Sequence, residues 1–210
     1  MFKYAIILLL LSVLPLAAQD IEDIIEEVQE KYEDMDNLTA TFRQVETFKL
    51  TGSRNETVGK IYVKDGTSYR FESDDQVVVT NGKTVWTYNR LSNQLIIDNV
   101  RKNSGALLPR DMLFVYPKEY YSTLIGSETI DNKKMYEVKL DPRENVHGFV
   151  KSMKLWVDDD EWLIHKIEVT DLNGNTTTYE INDLNSKKKL DDSMFTFQPE
   201  EGVQVVDMRQ

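Results

Sequence analysis

Two histidines, His147 and His165, and the acidic run Asp158-Asp159-Asp160-Glu161 are the side chains in this 210-residue chain best suited to acid–base or metal chemistry. The histidines are not spaced as a ligand pair. His165 alternates with Leu163 and Ile167 in an apolar stretch, which suits a packed or surface histidine better than a ligand. The acidic run lacks the interleaved oxygen ligands of a calcium loop and reads as a solvated hairpin tip. No G-x-S-x-G, H-E-x-x-H or P-loop pattern occurs, so no nucleophile, zinc or phosphate constellation supports a hydrolase. Two N-x-T triplets, at Asn37 and Asn55, match glycosylation acceptors and matter only in a eukaryotic secretory pathway. No cofactor is implied.

The remaining candidates are apolar. Phe42, Tyr62, Phe71, Trp86 and Tyr88 fall on strand-like stretches, and Leu107 to Phe114 form a greasy segment. Trp86 and Tyr88 are two residues apart, so they share one face of a sheet. Such rings fill a core or line a pocket for apolar ligand, and composition alone does not separate the two.

These residues need elements to hold them. The chain opens with Lys3, an apolar run from Ala5 to Leu14, and small residues up to Ala18. That run is too short to span a bilayer, which takes about 20 residues, and it matches a secretory leader over residues 1–18. Residues 19–210 then make one exported domain. The chain has no cysteine, so disulfides contribute nothing and the acceptor for a lipid anchor is missing. The formal charge is −11, which argues against nucleic acid and anionic surfaces as main partners.

Ile21, Ile24, Ile25, Val28 and Tyr32 stand at helical spacing and predict one amphipathic helix, ending at Asp36-Asn37. The period then changes to two. TATFRQVETFKL, GKIYVKDGTSYRFESDD and QVVVTNGKTVWTYN alternate, with turns at Asp65-Gly66 and Asn81-Gly82. NQLIIDNV adds a strand. Ser104 to Gly126, broken by Pro109 and Pro117, predicts short helical pieces. Strands resume with KKMYEVKLDP and three more, turning at Asp158–Asp160 and Asn173-Gly174. A short strand follows Pro199. The spacing of Trp162 and Ile164 against Ile167 and Val169 predicts a bulge between them. So many meandering strands predict a mainly β, α+β architecture: a barrel or strongly bent sheet with helices packed on it.

Several segments resemble the periplasmic outer-membrane lipoprotein carrier family, LolA. The helix followed by TATFRQ, then GKIYVK, YRFE, VVVTNGKTVWTYN, NQL and the closing FTFQPEEGVQVVDMR resemble that family's motifs in order and spacing. The resemblance covers nearly the whole of residues 19–210. It implies an unclosed antiparallel β-barrel of about 11 strands, covered by the N-terminal helix and the helical insertion as a lid. It implies a non-enzymatic, monomeric carrier that holds acyl chains of lipoproteins in an apolar cavity. Its implied partners are acylated lipoproteins, an ABC-type inner-membrane lipoprotein-releasing complex and an outer-membrane receptor, with no nucleic acid. The implied cavity and lid residues are Ile24, Val28, Phe42, Tyr62, Arg70, Phe71, Trp86, Tyr88, Leu107, Leu108, Met112 and Leu113. One position departs: Asp65 stands where the family carries an arginine that hydrogen-bonds the lid, and Arg70 matches a different arginine position. An envelope-stress sensor or protein-docking module of the same fold is the alternative, with the apolar insertion as its docking surface.

Overall fold

The computed structural model describes residues 21–100, 120–144 and 148–209. Helix α1 covers Ile21–Glu33, with Glu22 and Asp23 in its first turn and Lys31 in its last, which suits the helix dipole. At 13 residues it is marginal in isolation. Packing holds it: Ile24, Val28 and Tyr32 are buried at i, i+4 and i+8, and Ile21 and Ile25 flank them.

Six strands follow in succession: β1 (Asn37–Thr47), β2 (Arg54–Lys64), β3 (Ser68–Ser73), β4 (Gln76–Asn81), β5 (Thr84–Asn89) and β6 (Gln94–Asn99). The second run is β7 (Tyr120–Ile130), β8 (Lys133–Pro142), β9 (Val150–Asp158), β10 (Ile164–Asp171) and β11 (Thr176–Asn185), and β12 (Gln204–Asp207) closes the chain. Gly66, Gly82 and Gly174 sit in turns at positive φ, as the Asp-Gly and Asn-Gly signals require.

All twelve strands form one unclosed sheet in the order β12-β6-β5-β4-β3-β2-β1-β11-β10-β9-β8-β7. Each run is a meander, and β1 joins them by pairing with β11. Two expectations are corrected. Residues 120–126, read as part of a helical insertion, begin strand β7, which pairs with β8 along its whole length. Tyr120-Tyr121-Ser122-Thr123 is strand-favouring, and a full ladder outweighs local ambiguity. Leu107, Leu108, Met112 and Leu113, with the rest of the expected lid insertion, lie outside the described residues. Second, β12 is parallel to β6, not part of a meander. A parallel neighbour requires a crossover. Residues 186–203 supply it by running from the middle of the sheet to its β6 edge.

The bulge expected between Trp162 and Val169 is present: register shifts between Ile164 and Lys166, and Trp162 has φ 57°.

Candidate functional site

Directly opposed residues on antiparallel strands share a face, so the register sorts every side chain. The inner face carries α1. There Val138 opposes Leu155, Leu140 opposes Met153, and Leu155 opposes Ile167, and all of these join Ile24, Val28 and Tyr32 in one buried cluster. The Tyr32 hydroxyl accepts the Ile164 N–H at 3.1 Å, and burial pushes its phenol up to about 12. The β7–β11 half of the inner face is therefore filled by the helix.

The inner face continues across β1–β6. Ile167 opposes Tyr179, Tyr179 opposes Gln44, and along β1 Phe42 and Ala40 share that side. Ala40 opposes Ile61, Ile61 opposes Phe71, Phe71 opposes Val78, Val78 opposes Thr87, and Thr87 opposes Ile96. One step along, Leu38, Val63, Tyr69, Thr80 and Val85 form a second row. Ile61, Val63, Phe71, Val78, Val85 and Ile96 are half-buried. They are not members of the α1 cluster. Phe42 stacks on Phe71, ring centroids 4.3 Å apart. The ring of Phe42 leans across Gly59, where a Cβ would meet it at 2.6 Å and the Glu72 carbonyl oxygen at 2.0 Å. Only glycine leaves room for this arrangement.

The outer face is different. Val77 opposes Tyr88 and Val79 opposes Trp86, and the two valines are fully buried beside Leu95 and Ile97. Their cover is the 186–203 crossover. Phe195, in a 3-10 turn at Asp192–Phe195 capped by Asp191, is buried, and Phe197 meets Tyr88 at 5.2 Å. Lys64 Nζ donates to the Leu190 carbonyl at 3.1 Å and to Asp192 at 2.5 Å. Arg70 donates to the Met194 carbonyl at 3.2 Å and to Glu72 at 2.5 Å. Asn93 donates to the Gly202 carbonyl and accepts from the Tyr88 hydroxyl.

The twelve expected site residues thus divide. Ile24 and Val28 lie in the α1 cluster, and Phe42 and Phe71 lie on the inner face. Tyr62, Arg70, Trp86 and Tyr88 lie on the outer face, opposite the side that carries α1, and Leu107, Leu108, Met112 and Leu113 lie outside the described residues. The physical reason is that β4 carries valines on both sides, and the crossover packs on the side that bears the larger rings of β5. Arg70 ties down this crossover instead of a lid. Asp65 is exposed at φ 50°, and its N–H donates to the Asp36 carbonyl at the α1–β1 junction. Ile61, Val63, Val78, Val85 and Ile96 were not singled out in the sequence. The signal for them was phase: each is a cross-strand partner, direct or relayed, of Phe71 or Tyr69.

Among the described residues the polar groups form no nucleophile–base or metal centre, and His147 lies outside those residues. Asp158, expected at a solvated tip, is instead buried. It accepts the N–H groups of Asp160 and Glu161 at 2.8 and 2.9 Å and the Lys133 ammonium at 2.7 Å. Burial alone would raise its pKa, but these donors outweigh burial and hold the carboxyl below its ordinary value. His165 Nε2 stands 3.6 Å from Asp158, buried and without a hydrogen bond. Burial, then the Lys133 charge, lowers its basicity. This is a hairpin brace, not a nucleophile–base pair. No cluster of three metal-ligating side chains occurs among the described residues. A cleft of about 580 Å³ is lined by Arg43, Lys60, Glu72, Asp74 and Arg90 together with Phe42 and Val58, so charged and apolar side chains mix there.

The model of the family described as "Outer membrane lipoprotein carrier protein LolA" matches residues 33–198. The chain belongs to the LolA family. Among curated relatives, an outer-membrane lipoprotein carrier protein of Haemophilus influenzae is 25% identical over 95% of this chain and 94% of its own. An uncharacterized protein of Methanocaldococcus jannaschii is 26% identical over 88% of this chain, which spans about half (53%) of that relative's length. An uncharacterized conserved protein of Thermus thermophilus shares the fold, with TM-score 0.61 at 16% identity, over 89% of this chain and 98% of its own. Fold and family agree: a LolA-like sheet with a helix on its inner face. Among the described residues, the β2–β6 strip is a half-buried apolar surface that is not part of the α1 cluster.

Proposed function

We propose that this LolA-family protein is a non-enzymatic periplasmic carrier of acylated lipoproteins, exported through the leader at residues 1–18. It takes its cargo from an ABC-type inner-membrane releasing complex and passes it to an outer-membrane receptor. The observation that carries the reading is the inner-face strip of Ile61, Val63, Phe71, Val78, Val85 and Ile96, half-buried beside a fully packed half. Each buried CH₂ is worth about 0.8 kcal/mol, so a chain of ~16 carbons does not cross water uncovered. A strip open enough to accept the chain, yet partly covered when empty, limits the gain on loading and so permits release.

The test is release of an acylated lipoprotein from spheroplasts by residues 19–210, with a variant cargo lacking its acylated cysteine as control. Soluble complex with the acylated form alone supports the reading. Release of neither form, together with no uptake of a fluorescent fatty acid, would make the strip ordinary core and leave protein docking as the function.

A further inference from the structure

The register divides the charges of the first strands unequally between the two faces. The outer face of β1–β3 carries Arg43, Glu56, Lys60, Lys64, Arg70 and Glu72. Among the described residues, the inner face of β1–β5 carries one charged side chain, Glu46. A second inner acid, Asp98, stands on β6 opposite Val85 at the far rim, where it accepts the Asn99 N–H.

The inner face also changes polarity along its strands. On β1 it runs Leu38, Ala40, Phe42 and then Gln44 and Glu46, and on β2 Ile61 gives way to Gly59, Thr57 and Asn55. On β4 and β5 the same face ends in Gln76 and Asn89, which oppose each other. The apolar strip therefore lies toward the rim where β1 starts, and a polar band lies toward the rim where β1 ends. At a rise of roughly 3.3 Å per residue, Leu38 to Gln44 spans about 20 Å. One acyl chain fills half the hydrocarbon core of a bilayer, about 15 Å. A chain laid along β1 with its methyl end at Leu38 thus ends close to Gln44, with Glu46 next on that face.

Glu46 is half-buried and accepts the Gln44 side-chain amide at 3.0 Å. No lysine or arginine among the described residues pairs with it. Lys49, in the turn beyond β1, lies against Gly174 instead. The Glu46 charge is felt across the sheet: burial, and then this carboxylate, push the Tyr179 phenol up to about 12. Helix α1, on the same face, adds Glu22, Asp23, Glu26, Glu27, Glu30 and Glu33 against Lys31. A lone carboxylate at the end of an apolar strip, in an anionic field, disfavours chains that end in an acid and favours chains that end in a cation.

We propose that Glu46 reads the polar end of the cargo: it receives the protonated α-amine of a cysteine whose sulfur carries the acylated glycerol, and so selects acylated peptides with a free amine over those whose amine is itself acylated. A free α-amine has a pKa of about 8 and is mostly protonated at pH 7. The inference rests on the carrier reading and concerns which form of cargo that surface takes. Phosphatidylethanolamine also joins two chains to an amine, but it sets a phosphate between them, which this face repels.

The experiment is equilibrium binding at pH 7 of residues 19–210, which contain every described element, to a fluorescent peptide that begins with S-dipalmitoylglyceryl cysteine. Its α-amine is either free or acetylated, so the chains are the same and only the charge differs. The free-amine form is expected to bind about fivefold tighter at low salt, with the difference shrinking as salt is raised. Glu46→Gln is expected to bind both forms alike, at the affinity of the acetylated form. Glu56→Gln, the same charge change on the outer face of the adjacent strand, should keep the preference. An unchanged thermal melt confirms that each variant folds. Equal binding of the two forms by the unmodified protein, a preference that survives Glu46→Gln, or one lost equally in Glu56→Gln overturns the inference and leaves the carrier reading standing. Tighter binding of phosphatidylethanolamine than of the free-amine peptide overturns it too, and assigns the surface to a lipid headgroup. Binding of neither peptide refutes the carrier reading and the inference with it.

Discussion

Gly59→Ala tests the packing of the inner face directly. The added Cβ would lie 2.0 Å from the Glu72 carbonyl oxygen and 2.6 Å from the Phe42 ring. A relaxed carbon–carbon contact is about 3.5 Å or more, so neither approach is tolerated. The ring can swing away, which breaks its stack on Phe71 and costs about 1 kcal/mol beyond lost burial. The carbonyl cannot move unless β2 and β3 part, which loses one or two ladder bonds at about 1 kcal/mol each. The total is about 3 kcal/mol. For a domain of this size each kcal/mol lowers Tm by about 2–4 °C, so a drop of about 6–12 °C is expected. A thermal melt followed by circular dichroism reads it. Fatty-acid uptake should fall as well, because the displaced Phe42 ring moves over the strip. A variant that melts within about 2 °C of the unmodified protein would refute the argument, since a stability change that small leaves no strand separation to account for.

Three further outcomes follow from the same geometry. Phe71→Ala should weaken fatty-acid probe binding about tenfold, the loss of one partly buried ring, while Tyr88→Ala on the outer face should leave it unchanged; the reverse pattern in a fluorescence titration would place the ligand on the other side of the sheet. Phe195→Ala should cost about 3–5 kcal/mol and expose the 186–203 crossover to limited proteolysis, because the ring is buried and its 3-10 turn packs on β3 and β4. Stability should decline on acidification in two stages: His165 titrates lower in the fold than when unfolded, so protonation favours the unfolded chain as pH falls below its ordinary value of 6.5, and Asp158, also lowered, loses its Lys133 and N–H partners as pH falls through its folded value. In chemical denaturation across pH, His165→Gln should flatten the first stage and leave the second; an unchanged slope would remove His165 from the account.

Much of this molecule was determined by local sequence. Ile24, Val28 and Tyr32 specify a helix by their spacing alone, because only a 3.6-residue period puts them on one side. Asp65-Gly66, Asn81-Gly82 and Asn173-Gly174 specify turns because few residues accept positive φ. The Trp162–Val169 phase slip specifies a bulge for a similar reason: alternation that fails by one residue must be absorbed in the backbone. Family motifs were legible too, being contiguous.

Which face does what was decided only by tertiary structure. Gln76-Val77-Val78-Val79 is apolar on both sides, and a period of two says that Trp86 and Tyr88 share a face without saying which face. That choice depends on what covers each side. One cover is α1, the first described element; the other is the 186–203 crossover, whose Phe197 meets Tyr88 from more than a hundred residues along the chain. The parallel placement of β12 depends on the same long connection. Asp158 shows the same limit on a smaller scale: four acidic residues in a row look solvated, but Lys133 from the neighbouring hairpin and two N–H groups make burial of one of them favourable. A side chain's surroundings are set by whichever distant segments arrive, and no local period encodes that arrival.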